Sequence, residues 1–338
     1  MENNLPATTA RPRHAVVLMV CGVVLIFSLL LAVTIGSRHL SLAAAFRGVS
    51  PDHEILIELR LPRALLAMWT GGALALSGVL FQSLLRNPLA TPYTLGISGG
   101  ASLGAVLAIV LGWTSASGVS GVTLAACAGA GAVLILNVVL ASNRGRMSSM
   151  SLLLAGVTIN SMCGAAILFI SNFAGILKSF AVTRWLMGGM DAPEYSTLLW
   201  LSVILAPVCG VVLWHSREWN LLAVGETWAA TRGVSTSRLL VIGCIAGSIM
   251  TGAVTALTGP IAFVGLIVPH ALRMWVGADH RILAPASFLL GAAFVALCDV
   301  VSRTILAPVE IPVGVVTALL GGPFFIWMLS SRRRGISL

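Results

Sequence analysis

The chain has 338 residues, of which 58% are hydrophobic and only 9% charged, with a net charge of +9. An average soluble domain carries roughly 25% charged residues, so a water-soluble globular fold is excluded, and the positive charge reads as membrane orientation rather than a nucleic-acid surface. In lipid each backbone N–H and C=O must be paired, and unbroken apolar runs of about 20 residues favour helices over the short alternating strands of a barrel.

The expectation is an all-α, polytopic membrane bundle of about ten transmembrane helices, forming one transmembrane domain over residues 1–338. Taken in chain order, the spans fall at residues 15–36, 63–82, 93–113, 119–141, 150–172, 196–215, 237–257, 262–274, 282–302 and 313–329. The first exceeds a typical signal-peptide core and no small-x-small cleavage site follows, so it is read as retained. The eighth is short, with Pro260 before it and Pro269 inside it, which predicts a half-length or kinked helix.

Orientation follows from Lys and Arg in the short loops. A cytoplasmic N-terminus leaves thirteen basic residues inside, namely Arg11, Arg13, Arg86, Arg144, Arg146, Arg217, Arg232, Arg238, Arg273, Arg281 and Arg332 to Arg334. Seven fall outside: Arg38, Arg47, Arg60, Arg63, Lys178, Arg184 and Arg303. Both termini are then cytoplasmic, with an N-terminal tail over 1–14, a long cytoplasmic connection over 217–237 and a basic tail over 330–338.

Cys21, Cys127, Cys163, Cys209, Cys244 and Cys298 stand singly within apolar spans and read as small hydrophobes. Gly96, Gly100 and Gly104, like Gly243 and Gly247, form strips that suit close helix packing, within one chain or across a dimer. Residues 73–78 and 254–259 echo one another, each ending in a glycine ten places before a proline, a pattern consistent with inverted repeats.

Intramembrane charge is scarce. Asp299 has Arg303 four residues on, a spacing that suits a local ion pair better than a proton relay. Asn137, Asn160, Ser161 and Asn172 either line a path or bridge helices. No H-E-x-x-H, G-x-S-x-G or clustered metal-ligand pattern is present. A Walker A loop needs lysine after glycine, and the single lysine, Lys178, follows Leu177. Any ATP-driven process therefore draws its ATPase from another polypeptide.

The ordered motifs Leu59-Arg-Leu-Pro-Arg63, Gly71-Gly-Ala-Leu-Ala-Leu-Ser-Gly78, Arg86-Asn-Pro-Leu-Ala90, Leu95-Gly-Ile-Ser98, Gly225-Glu226 with Gly233, Phe263-Val-Gly-Leu-Ile-Val-Pro-His270, Asp279-His-Arg281 and Glu310-Ile-Pro-Val-Gly314 closely resemble the FecCD family. Its members are permeases of bacterial ABC importers for iron-siderophores, haem and cobalamin, and the similarity spans about residues 55 to 330. The resemblance implies a type II ABC importer permease in the bacterial inner membrane, paired as a homodimer or with a close paralogue. Two cytoplasmic ATPase subunits carrying ATP-Mg would lie beneath it and a periplasmic binding protein above, with membrane lipid around it and no cofactor, metal or nucleic acid bound by this chain. The resemblance makes Arg60, Arg63 and Arg303, on the outer side, the expected docking residues for the binding protein, a role that a guanidinium fork suits because it receives carboxylates; lipid headgroups or intrachain partners are the competing occupants, with Asp299 a rival for Arg303.

The element Gly225-Glu226-Thr-Trp-Ala-Ala-Thr-Arg-Gly233 reads as a short helix closed by a glycine cap. The resemblance makes Gly225, Glu226, Trp228, Arg232 and Gly233 the ATPase-coupling element, with Trp228 an anchor or a belt residue. Ser148 and Ser149 resemble the inner gate region of cobalamin importers, although Met150 departs from its pattern. Asn160 and Ser161 are candidate pathway residues. The competing function is an ion-coupled secondary transporter.

Overall fold

The computed structural model describes residues 10–36, 38, 40–113, 120–143 and 146–333. The tail ends at 1–9 and 334–338, including Arg334, together with Arg144, lie outside them, and so do the side chains of Arg11, Arg13, Arg146, Arg332 and Arg333. Helix α1 (Ala10–Thr34) is followed by the short turns α2 (Leu42–Phe46) and α3 (Asp52–Glu54). A π-helical segment, Ile55–Arg60, then runs into α4 (Leu61–Leu84). Pro62 has no N–H to close the ladder at Glu58, and the turn before it is wound wider, with the Leu61 N–H on the Leu56 carbonyl.

A 3-10 turn, Pro92–Leu95, leads into α5 (Ile97–Leu111), and α6 (Gly121–Ala141) follows. Ser142 pairs with Met147 and Asn143 with Arg146 in a two-rung antiparallel hairpin before α7 (Ser149–Phe173). The remaining helices are α8 (Ile176–Leu186), α9 (Tyr195–Trp214), α10 (Ser216–Val224), α11 (Glu226–Thr231), α12 (Thr236–Thr258), α13 (Val264–Val276), α14 (His280–Thr304) and α15 (Val313–Arg333).

Seven helices among the described residues are long and apolar enough to cross a bilayer, and α5, α13 and α15 add three shorter apolar ones. This is the expected bundle, with three differences. The third span is broken, because the 3-10 turn ends at Gly96 in the left-handed region (φ 70°) and α5 starts only there. Residues 173–195 are not a plain connection but contain α8, an 11-residue helix too short and too charged to register as a span. The echo at 73–78 and 254–259 has no structural counterpart: Gly78 lies in mid-helix, whereas Gly259 caps α12 at φ 68°.

Backbone contacts explain the glycines. A Cβ on Gly71 would sit 2.0 Å from the Gly291 carbonyl oxygen, and one on Gly78 would sit 2.0 Å from that of Gly265. Helix α4 therefore lies directly against α14 and α13. Gly104 meets Ala125 and Gly129 meets Gly100 in the same way, joining α5 to α6, while Gly96 faces Gly156 and Asn160 of α7, so the first strip packs inside the chain. Gly243 and Gly247 face Leu84, Trp219 and Phe81, again within one chain.

This packing makes α4, α12 and α14 central: 83% of the α4 apolar window is buried, against 22% for α7 and 17% for α1. Helix α1 begins at one end of the bundle, termed proximal, and finishes at the distal end beside the start of α4 and the last turn of α14. Helices α4 and α9 finish at the proximal end, and α7, α12 and α14 begin there. Helix α13 spans 13 residues, about 20 Å at 1.5 Å per residue, and carries Pro269 as expected of a half-length helix.

Candidate functional site

Charged side chains gather at the two ends. At the distal end the C-terminus of α1 leaves carbonyls without intrahelical donors. Arg60 supplies them, its Nη1 donating to the Val33 and Thr34 carbonyls at 3.1 and 2.6 Å and its Nη2 to that of Arg38. Asp299, fully buried on α14, lies 2.9 Å from Arg63 Nε and 3.0 Å from Arg303 Nε. The second is a contact of charge, because Arg303 Nε is not aligned on Asp299 Oδ2; Arg303 also donates to the Ala32 carbonyl at 2.9 Å. Arg63 completes the cluster with Glu310 at 2.8 Å.

These contacts are the intrachain partners that stood as the alternative to docking. Arg60 and Arg303 are each 5% exposed and engaged within the chain, and Arg63 alone reaches the surface, partnered on both sides. A burial cost of several kcal/mol per ion makes internal partners obligatory here. Arg63 and Glu310 border a distal cavity of about 840 Å³, together with Arg184, Asp191, Trp185 and Thr258.

At the proximal end α9 is followed by two helices lying in the 217–237 connection, where the sequence suggested one. Helix α10 is anchored by Trp219, 1% exposed, whose indole N–H donates to the Val212 carbonyl at 2.8 Å. Helix α11 closes as expected: Gly233 stands in the left-handed region (φ 83°), its N–H bonds to the Ala230 carbonyl, and the Val234 N–H bonds to that of Ala229. Trp228 stands at the surface of this short helix. It is half exposed, with the Arg232 guanidinium 4.8 Å from its ring centroid.

Glu226, at the start of α11, is 3.1 Å from Arg86 Nη2 and 2.8 Å from the Ser149 hydroxyl. That hydroxyl also lies 2.7 Å from the Leu84 carbonyl, so the first turn of α7 touches both α4 and α11. Ser148 is exposed and makes no side-chain cap. The pathway pair separates: Asn160 faces the start of α5, where a Cβ on Gly99 would meet its Oδ1, while Ser161 points outward from α7 with its hydroxyl on the Val157 carbonyl. Asn137 bridges helices, donating to the Leu95 carbonyl at 2.6 Å.

Four residues in this end were not singled out from the sequence: Ser83, Arg86, Asn220 and His280. Arg86 and His280 stood in motifs of the family resemblance, and Arg86 also counted among the basic residues on the cytoplasmic side. Asn220 had none. Next to it, Arg281 hydrogen bonds hold the Asp279 carboxyl below the usual carboxylate range, and Asn220 adds to that against the opposing effect of burial.

Residues 24–331 match the model of the FecCD transport family. The chain belongs to this family. Among FecCD relatives it is 38% identical over 325 residues to an uncharacterized ABC transporter permease protein, YvrB, of Bacillus subtilis strain 168, covering 91% of each chain. It is 37% identical to the hemin transport system permease protein HmuU of Yersinia pestis, covering 93% of this chain and 96% of that one. It is also 37% identical to the vitamin B12 import system permease protein BtuC of Shigella boydii, with 94% and 95% covered. Among solved structures, an inward-facing conformation of a putative metal-chelate type ABC transporter matches with a TM-score of 0.83 and 29% identity, covering 94% of this chain and 99% of that one.

Proposed function

We propose that this chain is the permease subunit of an ATP-binding-cassette importer that moves an iron chelate, an iron-siderophore in the first place and otherwise haem or cobalamin, from periplasm to cytoplasm by alternating access. The observation that carries the reading is the family match over residues 24–331, which takes in both charged ends and the α10–α11 segment. The basic residues counted on the proximal side support a cytoplasmic proximal end. Since the single lysine, Lys178, sits in α8 with its ammonium on the Val110 carbonyl, hydrolysis of ATP-Mg is assigned to a separate subunit meeting α11.

Helix α7 is the surface assigned to a second copy of the permease or a close paralogue. Helix α1 exposes a purely apolar face, including Met19, Val23 and Ile26, suited to lipid, whereas the exposed face of α7 interleaves Ser161 and Thr158 with Met162 and Phe169. A path between two copies accounts for those polar groups. Docking of a binding protein is assigned to the distal end around Arg63, Arg184 and the cavity, with Arg60 and Arg303 acting as buttresses. An ion-coupled carrier is not favoured, because the one fully buried carboxylate described, Asp299, is neutralised by two arginines.

Affinity purification from native membranes tests the assignment: the permease is expected to bring down a P-loop ATPase in equal amount. Recovery of a lone chain that accumulates substrate on an ion gradient contradicts it. Charge reversal by Arg63→Glu is expected to weaken stimulation of the ATPase by the binding protein, and unaltered stimulation removes the docking assignment.

A further inference from the structure

Three separate attachments converge on one turn of α4. That helix ends with the Asn87 N–H on the Gln82 carbonyl and the Arg86 N–H on the Ser83 carbonyl, a closure whose left-handed position is usually filled by glycine. Here Arg86 occupies it at φ 47°. Glycine there would relieve the backbone but could not reach Glu226.

The second attachment is His280, 2% exposed. Its Nδ1 is 2.6 Å and its backbone N–H 2.8 Å from Asn220 Oδ1, while Asn220 Nδ2 donates to Asp279 at 2.8 Å. The backbone N–H can only donate, which fixes the facing amide atom as oxygen and requires the ring proton on Nδ1. In the neutral ring Nε2 is then an acceptor, and the Ser83 hydroxyl, 2.5 Å away, donates to it. The imidazole is a rigid spacer between α10 and α4. The third attachment is Ser149 at the start of α7, whose single hydroxyl proton is shared between the Leu84 carbonyl at 2.7 Å and Glu226 at 2.8 Å.

We infer that Asn220 and His280, with Arg86 as the second arm, are positioning residues that transmit movement of the α10–α11 segment to α4 and α14. Both short helices are bound to the same turn, and α4 is the most enclosed helix, packed backbone to backbone on α13 and α14. Displacement of the segment therefore shifts the bundle centre instead of sliding beneath it. Helix α7 follows through Ser149.

This inference rests on α11 meeting the ATPase, and its test keeps the two apart. The complete transporter in proteoliposomes is assayed for substrate imported per ATP hydrolysed, with a Thr227→Cys crosslink to the ATPase as a report on contact. Asn220→Ala, Ser83→Ala and Arg86→Ala are expected to keep the crosslink and ATP hydrolysis. The import ratio is expected to fall about tenfold in Asn220→Ala, within the usual range for a severed coupling, and less in the other two. His280→Asn, whose amide reaches Asn220 but not Ser83, is expected to recover part of the ratio lost in His280→Ala. A wild-type ratio in Asn220→Ala and Ser83→Ala with the crosslink intact overturns the inference, as does a parallel fall of crosslink, hydrolysis and import. Absence of the crosslink in otherwise wild-type transporter removes the ATPase contact itself, and the inference with it.

Discussion

The distal and proximal ends use the same residue types for opposite purposes. Distally, Asp299 with Arg63 and Arg303, and Arg60 on the end of α1, join long helices to one another through buried contacts. Proximally, the Glu226–Arg86 pair is exposed, and it joins a six-residue helix to the bundle. A buried cluster fixes a geometry, because losing one partner strands the others in a medium that cannot solvate them. An exposed ion pair adds little stability, yet can set which bodies move together. The distal end is thus a brace and the proximal end a linkage.

Breaking the brace gives the largest expected effect. Asp299→Ala leaves the buried Arg303 guanidinium without its ion-pair partner and Arg63 with Glu310 alone, and is expected to cost about 3–5 kcal/mol, read as a lower thermal unfolding temperature in detergent. Unaltered unfolding would mean that the cluster is not a brace. Next, Gly71→Ala drives a methyl into the Gly291 carbonyl, and although alanine favours helix, the expected net cost is about 1–3 kcal/mol on the overpacking scale. Adding the same methyl at Gly131, which has open space around it, is expected to be harmless and serves as the control.

The linkage behaves otherwise. Glu226→Gln is expected to alter stability by no more than about 1 kcal/mol while lowering import per ATP; a large fall in unfolding temperature would place Glu226 with the brace instead. The smallest effect concerns pH. Asp279 has its carboxyl pKa depressed in the folded chain, so its contribution is present above the unfolded value of about 3.9 and is lost as pH falls through the lower folded value. The stability difference between wild type and Asp279→Asn is therefore expected to stay constant between about pH 5 and 8 and to shrink only in acid. Shrinkage already at pH 6 would contradict the pairing.

Much of the bundle was legible because lipid forces long apolar runs to be helices, and Pro269 marked the half-length α13 correctly. Helix α8 was hidden by Lys178 and Arg184 within 11 residues, a pattern that resembles a loop. The break before α5 depends on the left-handed turn at Gly96, which composition does not announce. At the sites, the short helix ending at Gly233 could be read because a cap is a local signal. Arg60 could not, since its partners are carbonyls at the end of α1 and in the connection after it, 22 to 27 positions away. The Ser83 to His280 contact spans 197 positions and uses residue types that elsewhere merely bridge helices. Asp299 and Arg303 were paired from spacing, but Arg63, 236 positions away, came into view only with the fold.

The central claim is that transport energy enters by contact at the proximal end. Its most direct test is uptake of labelled iron-siderophore, haem and cobalamin into proteoliposomes holding this permease, with its ATPase inside and its binding protein outside. The account predicts uptake of one of these cargoes that requires ATP and both partners and persists when ion gradients are collapsed. Uptake that continues without the ATPase and stops when the gradient is dissipated would contradict it.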